Sequence, residues 1–155
     1  MAEHHATITW SSEAAPADFT RGKYSREHLW TFDGGASVPG SSSPSVVPLP
    51  WSSPAAVDPE EAFVAAVSSC HMLTFLYLAS KKGFALTSYR DRAVGVMTKG
   101  PTGVPWVSKV TLCPELAWAS DKRPSDAELA ELHHHAHEQC FIACSIKSEV
   151  VVHGI

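Results

Sequence analysis

Two short stretches of this chain carry residue types able to do chemistry. In "VSSCHMLTFL", Val67 to Leu76, Cys70 and His71 stand side by side in a run that otherwise reads as a buried helix. A thiol in such a place is either an inert apolar filler or a nucleophile kept away from water. Cys70 falls about 18 Å from the start of that helix at 1.5 Å per residue, too far for the helix dipole to activate it. Activation would need a positive charge brought from elsewhere. His71 points about 100° away around the helix, so adjacency in sequence does not place it on the sulfur.

The second stretch is "HHHAHEQCFIAC", His133 to Cys144. His133 and His137 share a helical face, and Cys140 lies one turn beyond. This is a set that binds zinc if a fourth ligand or a water joins it. The same pattern also describes a solvated, His-rich helix face followed by a packed cysteine. The paired C-x-x-C spacing of a structural zinc site is missing. Cys113 sits in an apparent strand and reads as structural.

The elements that must position these residues can be placed by periodicity and caps. Residues 4–12 and 23–33 are predicted strands. In "YSREHLWTF", Tyr24, Arg26, His28, Trp30 and Phe32 alternate with Ser25, Glu27, Leu29 and Thr31. Gly34 to Pro54 is rich in Gly, Ser and Pro and is predicted to be a long connector or extended arm. Asp58, Pro59 and Glu61 form a helix start, and the helix runs to about Lys82, where Gly83 closes it. It is apolar nearly all round, as a core helix is. Two strands follow, Thr87–Met97 and Val104–Ala119, with a turn at "KGPTG". A second helix starts from a Ser125/Glu128 capping box and reaches about Gln139, and Ile146–His153 is a last strand. Strands, helix, strands, helix, strand is an α+β order.

Bulk properties narrow the function classes. The 155 residues, 45% of them hydrophobic, suit one domain, 1–155, with a sizeable core. A net charge of -4 gives no reason to expect nucleic acid or an anionic membrane surface as a partner. Ala62 to Ser80 carries no charged residue and approaches the length of a membrane span, yet Ser68, Ser69, His71, Thr74 and Ser80 make it too polar for one. The N-terminus lacks the layout of a secretory signal, and four scattered cysteines do not form a disulfide framework. A cytoplasmic location is expected.

"DPEEAFVAAVSSCHMLTFL" and, some seventy residues later, "AHEQCFIACSIKSEV" resemble the OsmC/Ohr family of osmotically inducible and organic hydroperoxide resistance proteins. "YSREHLWTFDGG" and "VPLPWSSPAAVDPEEAF" resemble its OsmC-like branch, so the similarity runs from about Tyr24 to His153. The resemblance implies an OsmC-like fold, in which antiparallel sheets surround a long buried helix and a second helix, in an intertwined homodimer with a peroxidase site at the subunit interface. It implies Cys70 as the peroxidatic cysteine and Cys140 as the resolving one. It also implies Glu60 as the acidic partner and Arg26, or alternatively Arg21, as the activating arginine. The implied activity is reduction of organic hydroperoxides with an external dithiol as reductant and without a metal or cofactor. Glu60 and Cys70 are about 15 Å apart along one helix, so a shared site would need a second chain to join them. Phe63, Met72 and Trp51 are candidates for an apolar pocket wall. Phe141 stands where many members carry proline, and Cys144 adds a thiol four residues after Cys140, expected to pack at the start of the last strand.

Overall fold

The N-terminal part of the chain is a small sheet with a cavity beside it. A computed structural model describes residues 1–154, which divide into two compact units, Met1–Ala62 and Phe63–Ile155. In the first, β1 (Ala6–Thr9), β2 (His28–Phe32) and β3 (Ser37–Gly40) form an antiparallel sheet in that order. Ile8 lies opposite Trp30, and Trp30 opposite Val38. The predicted strand 23–33 is paired only from His28. Before it, the Arg26 side chain folds back to donate to the carbonyls of Gly22 and Tyr24, which takes residues 22–26 out of any ladder. Two elements were not anticipated. Helix α1 (Pro16–Phe19) is a single turn begun by a proline, and β3 lies inside the predicted connector. Gly40 ends β3 where a Cβ would come within 2.5 Å of the His28 ring, so only glycine fits without a shift.

The second unit is built on α2 (Pro59–Lys81), and both predicted helix ends are realised. Asp58 accepts from the Glu61 amide at 2.7 Å while the Glu61 carboxylate accepts from the Asp58 amide at 3.1 Å. At the other end Gly83 adopts φ +76°. There its amide donates to Ser80 and that of Phe84 to Ala79, the double bond of a Schellman cap. Helix α3 (Asp126–Glu138) starts from the expected Ser125/Glu128 box.

Each predicted long strand is two strands. β4 (Leu86–Asp91) and β5 (Val94–Lys99) part at Arg92–Ala93, and β6 (Pro105–Leu112) and β7 (Pro114–Trp118) part at Cys113. The break divides one sheet into two, β4 with β7 and β5-β6-β8, where β8 is Glu149–Val152. Asp91 explains the corner, because its carboxylate accepts from both the Cys113 amide and the Ser68 hydroxyl of α2. Cys113 is therefore at a strand junction, not in a strand. Among the described strands, β8 with β6 is the parallel pairing.

Two clusters make the core of this unit. Phe75, Ala79, Phe84, Leu132 and Ala136 pack α2 on α3, and Val67, Val110 and Leu112 pack α2 on the three-stranded sheet. Gly95 on β5 permits the second contact, since a Cβ there would come within 2.5 Å of Val64 on α2. Valine is stiff at χ1 and cannot swing aside freely. Gly95→Ala should therefore cost about 1–3 kcal/mol of stability by overpacking. Chemical denaturation checks this, and an unchanged midpoint would mean that α2 has room to move.

Candidate active site

Cys70 projects from the middle of α2 and is half-buried, and Cys140 follows the last turn of α3 and is fully buried. The structure places the Cys70 thiol near enough to Cys140 to bear on its protonation, and Cys140 Sγ accepts from the Ala143 amide at 3.4 Å. Burial first, and then the neighbouring Cys70 thiol, push the Cys140 thiol up to about 11, so it is held as a protonated thiol. All four cysteines are free. Cys144 differs from expectation: it lies in a 3-10 turn, Ala143–Ser145, and is exposed. The turn lifts it out of the packing that β8 would have offered, and its thiol donates to the Glu138 carbonyl at 3.3 Å.

The histidines contribute a different contact. His71 Nε2 and His133 Nδ1 are 3.0 Å apart, with the rings nearly parallel at 4° and both residues buried. Phe75 stacks on His133 at 4.3 Å. Burial holds both imidazoles at about 4, well under the ordinary 6.5, with His137 adding to the effect on His71 and Asp91 opposing it. The alternative zinc set His133, His137 and Cys140 does not form. Among the described residues no three His, Cys, Asp or Glu side chains converge as metal ligands, and His133 Nδ1 is engaged by His71.

Arg26 and Glu60 belong to the first unit, where both line a cavity of about 430 Å³. Arg26 Nη1 donates to the Gly22 carbonyl at 2.7 Å, and the guanidinium lies 3.7 Å over the Tyr24 ring. Within the chain these groups orient it. Arg21, the alternative arginine, is exposed. The cavity's apolar wall also differs from the prediction, coming from Ile8, Trp10, Phe19 and Tyr24. Phe19 and Tyr24 stack at 4.5 Å, and Trp10 meets Tyr24 edge-on at 5.6 Å. Phe63 instead packs in the core around Val67, the Trp51 carbonyl accepts from the Arg26 amide, and Met72 is half-buried on α2. The aromatic wall was hard to anticipate because α1, which delivers Phe19, has no periodicity long enough to read.

Residues 52–153 match the OsmC-like protein family. The chain belongs to that family. It is similar to an OsmC-like protein of unknown function from Vibrio cholerae O1, 49% identical over 98% of both chains with a TM-score of 0.93. More distant solved structures share the fold. An organic hydroperoxide resistance protein from Legionella pneumophila has a TM-score of 0.69 at 15% identity, covering 98% of this chain and 97% of that one. The organic hydroperoxide resistance protein OhrB of Bacillus subtilis has 0.64 at 18%, covering 96% and 94%. No curated protein matches the chain. Helix α2, long and apolar enough on composition to cross a membrane, is the central helix of this OsmC-like fold and not a span.

The buried imidazole pair sets a pH dependence. Unfolded histidines take up protons near 6.5, these two only near 4, so across that window the unfolded state binds more protons. Their contribution to stability is full above about pH 6.5 and falls as pH drops toward 4. Imidazole nitrogen spectra should show at least two neutral rings in the folded protein at pH 5. Protonation of every ring at that pH would contradict the burial argument.

Proposed function

We propose that this OsmC-like protein is a thiol-dependent peroxidase that reduces organic hydroperoxides to alcohols. The observation that supports the reading is that Cys70 and Cys140, from two different elements, are neighbours in the reduced protein. A peroxidatic thiol needs a second thiol within reach to form a disulfide before further oxidation, and here Cys140 has Cys70 as its neighbour. The Cys70 thiolate attacks the distal peroxide oxygen. The O–O bond breaks, the alkoxide leaves and takes a proton to become the alcohol, and Cys70 becomes a sulfenic acid. Cys140 then attacks that sulfur, its proton leaves with the hydroxyl as water, and a Cys70–Cys140 disulfide results. An external dithiol returns both to thiols by exchange. The raised pKa of Cys140 suits its part, because a protonated thiol does not compete with Cys70 for peroxide.

The protein acts as a homodimer in this proposal. On α2, Leu73 and Tyr77 are 61% and 57% exposed on a helix that is apolar all round, and a second copy would cover that face. The dimer would also bring Arg26 and Glu60 of one protomer to Cys70 of its partner. There the guanidinium favours the thiolate and stabilises the departing oxyanion. The aromatic wall beside Arg26 suits the organic part of the hydroperoxide. No metal or cofactor enters this chemistry. A cytoplasmic location would keep the thiols reduced between turnovers.

Two outcomes test this reading. Cys70→Ser should reduce turnover of cumene hydroperoxide with dithiothreitol or a lipoyl donor to background. Cys140→Ser should consume one peroxide per chain, stall at the sulfenic acid and pass to the sulfinic form in excess peroxide. Turnover that survives in Cys70→Ser would place the chemistry elsewhere.

Arg26→Ala should slow alkylation of Cys70 near neutral pH at least tenfold while leaving the dimer intact. If Arg21→Ala has that effect instead, the activating charge has been misassigned.

A further inference from the structure

The His71–His133 contact is a buried polar pair that the chemistry above does not use. Among the described residues it is the only polar partner of the His71 ring, whose Nδ1 is buried without one. Its place suggests a purpose. His71 follows Cys70 on α2, and His133 lies two turns before Cys140 on α3, so the imidazole pair and the thiol pair cross the same helix–helix seam.

The rest of that seam cannot fix its own rotation. Phe75, Ala79, Leu132 and Ala136 fill it, and apolar burial is non-directional. The residues of α2 are apolar around the whole circumference, so burial alone gives little reason to prefer one face toward α3. A turn of α2 by one residue would swing Cys70 about 100° away from Cys140. It would also leave two imidazoles buried without partners, a cost of about 1–3 kcal/mol for each group. Directional bonds in a buried seam penalise such alternatives where methyl groups do not.

We infer that the His71–His133 hydrogen bond is a positioning device that sets the rotation of α2 against α3, so that Cys140 stands ready to resolve oxidised Cys70. Neither imidazole touches the reacting sulfur in this arrangement. The titratable groups bearing on His71 are His137 from α3 and Asp91 from β4, while Tyr89 of β4 packs on Phe75, which stacks on His133. With both rings uncharged at neutral pH, one donates and the other accepts. The inference rests on the peroxidase reading above and concerns its second step alone.

The test separates the two steps in single turnover. One rate is peroxide consumption by reduced Cys70, and the other is appearance of the Cys70–Cys140 disulfide in quenched samples by mass spectrometry. His133→Leu should leave the first within threefold of wild type, slow the second at least tenfold, and let sulfinic Cys70 accumulate. His133→Asn, whose amide oxygen replaces Nδ1, should restore the second to within threefold. If His133→Leu does not fold, His71→Met against His71→Gln makes the same comparison, since the glutamine amide replaces Nε2. A purely structural role would lower the melting temperature and leave the ratio of the two rates unchanged, and that result overturns the inference. So does failure of the amide variants to restore the second rate. If wild-type Cys70 does not react with peroxide at all, the peroxidase reading falls, and the inference with it.

Discussion

A 23-residue helix that is apolar around its whole circumference must be covered on every side, and this fold is arranged to satisfy that demand. Val67 goes against β6, Phe75 and Ala79 go against α3, and Gly95 gives up its side chain so that β5 can approach Val64. The chain by itself does not complete the cover, and Leu73 and Tyr77 remain outside. The same demand bears on Cys70, which stands in the middle of this helix. Cys70 is shielded from water by its own protomer on one side, and in the proposed dimer by a second copy on the other.

In the proposed reaction, burial also divides the labour between the two thiols. Cys140 is wholly enclosed, and the loss of hydration holds its proton in place. It becomes useful only when an electrophilic sulfur appears beside it. Cys70, half-buried, is the more accessible of the two. Cys144, which a simple count of thiols makes equivalent to Cys140, is separated from this pair by a single 3-10 turn that turns it outward. Phe141, at 83% exposed, marks how sharply the chain leaves the core at that point.

The sequence is most legible where a local physical rule governs. Both capping boxes and the Gly83 terminator were readable because each is decided by side chains within four residues of the helix end. The α+β order is legible from periodicity within each element, and the motifs around Cys70 and Cys140 from their resemblance to the OsmC/Ohr family. The strand breaks were not, because Asp91 makes the corner at Cys113 by a contact 22 residues distant, and nothing local signals it. Single-turn α1 and short β3 lack the length for periodicity to show. The His71–His133 pair was hidden differently. His133 was read along its own helix as a possible zinc ligand, while its partner lies 62 residues away on α2. Contacts between elements decide this site, and pattern within elements decides the fold.

The most direct measurement is the disulfide formed when wild-type protein receives one equivalent of an organic hydroperoxide. Non-reducing peptide mapping should find Cys70 joined to Cys140, with Cys144 still alkylatable. That outcome is expected because Cys70 and Cys140 are neighbours while Cys144 faces solvent. A dominant Cys140–Cys144 or Cys70–Cys144 bond would contradict it, and would mean that the 3-10 turn after α3 opens during the reaction.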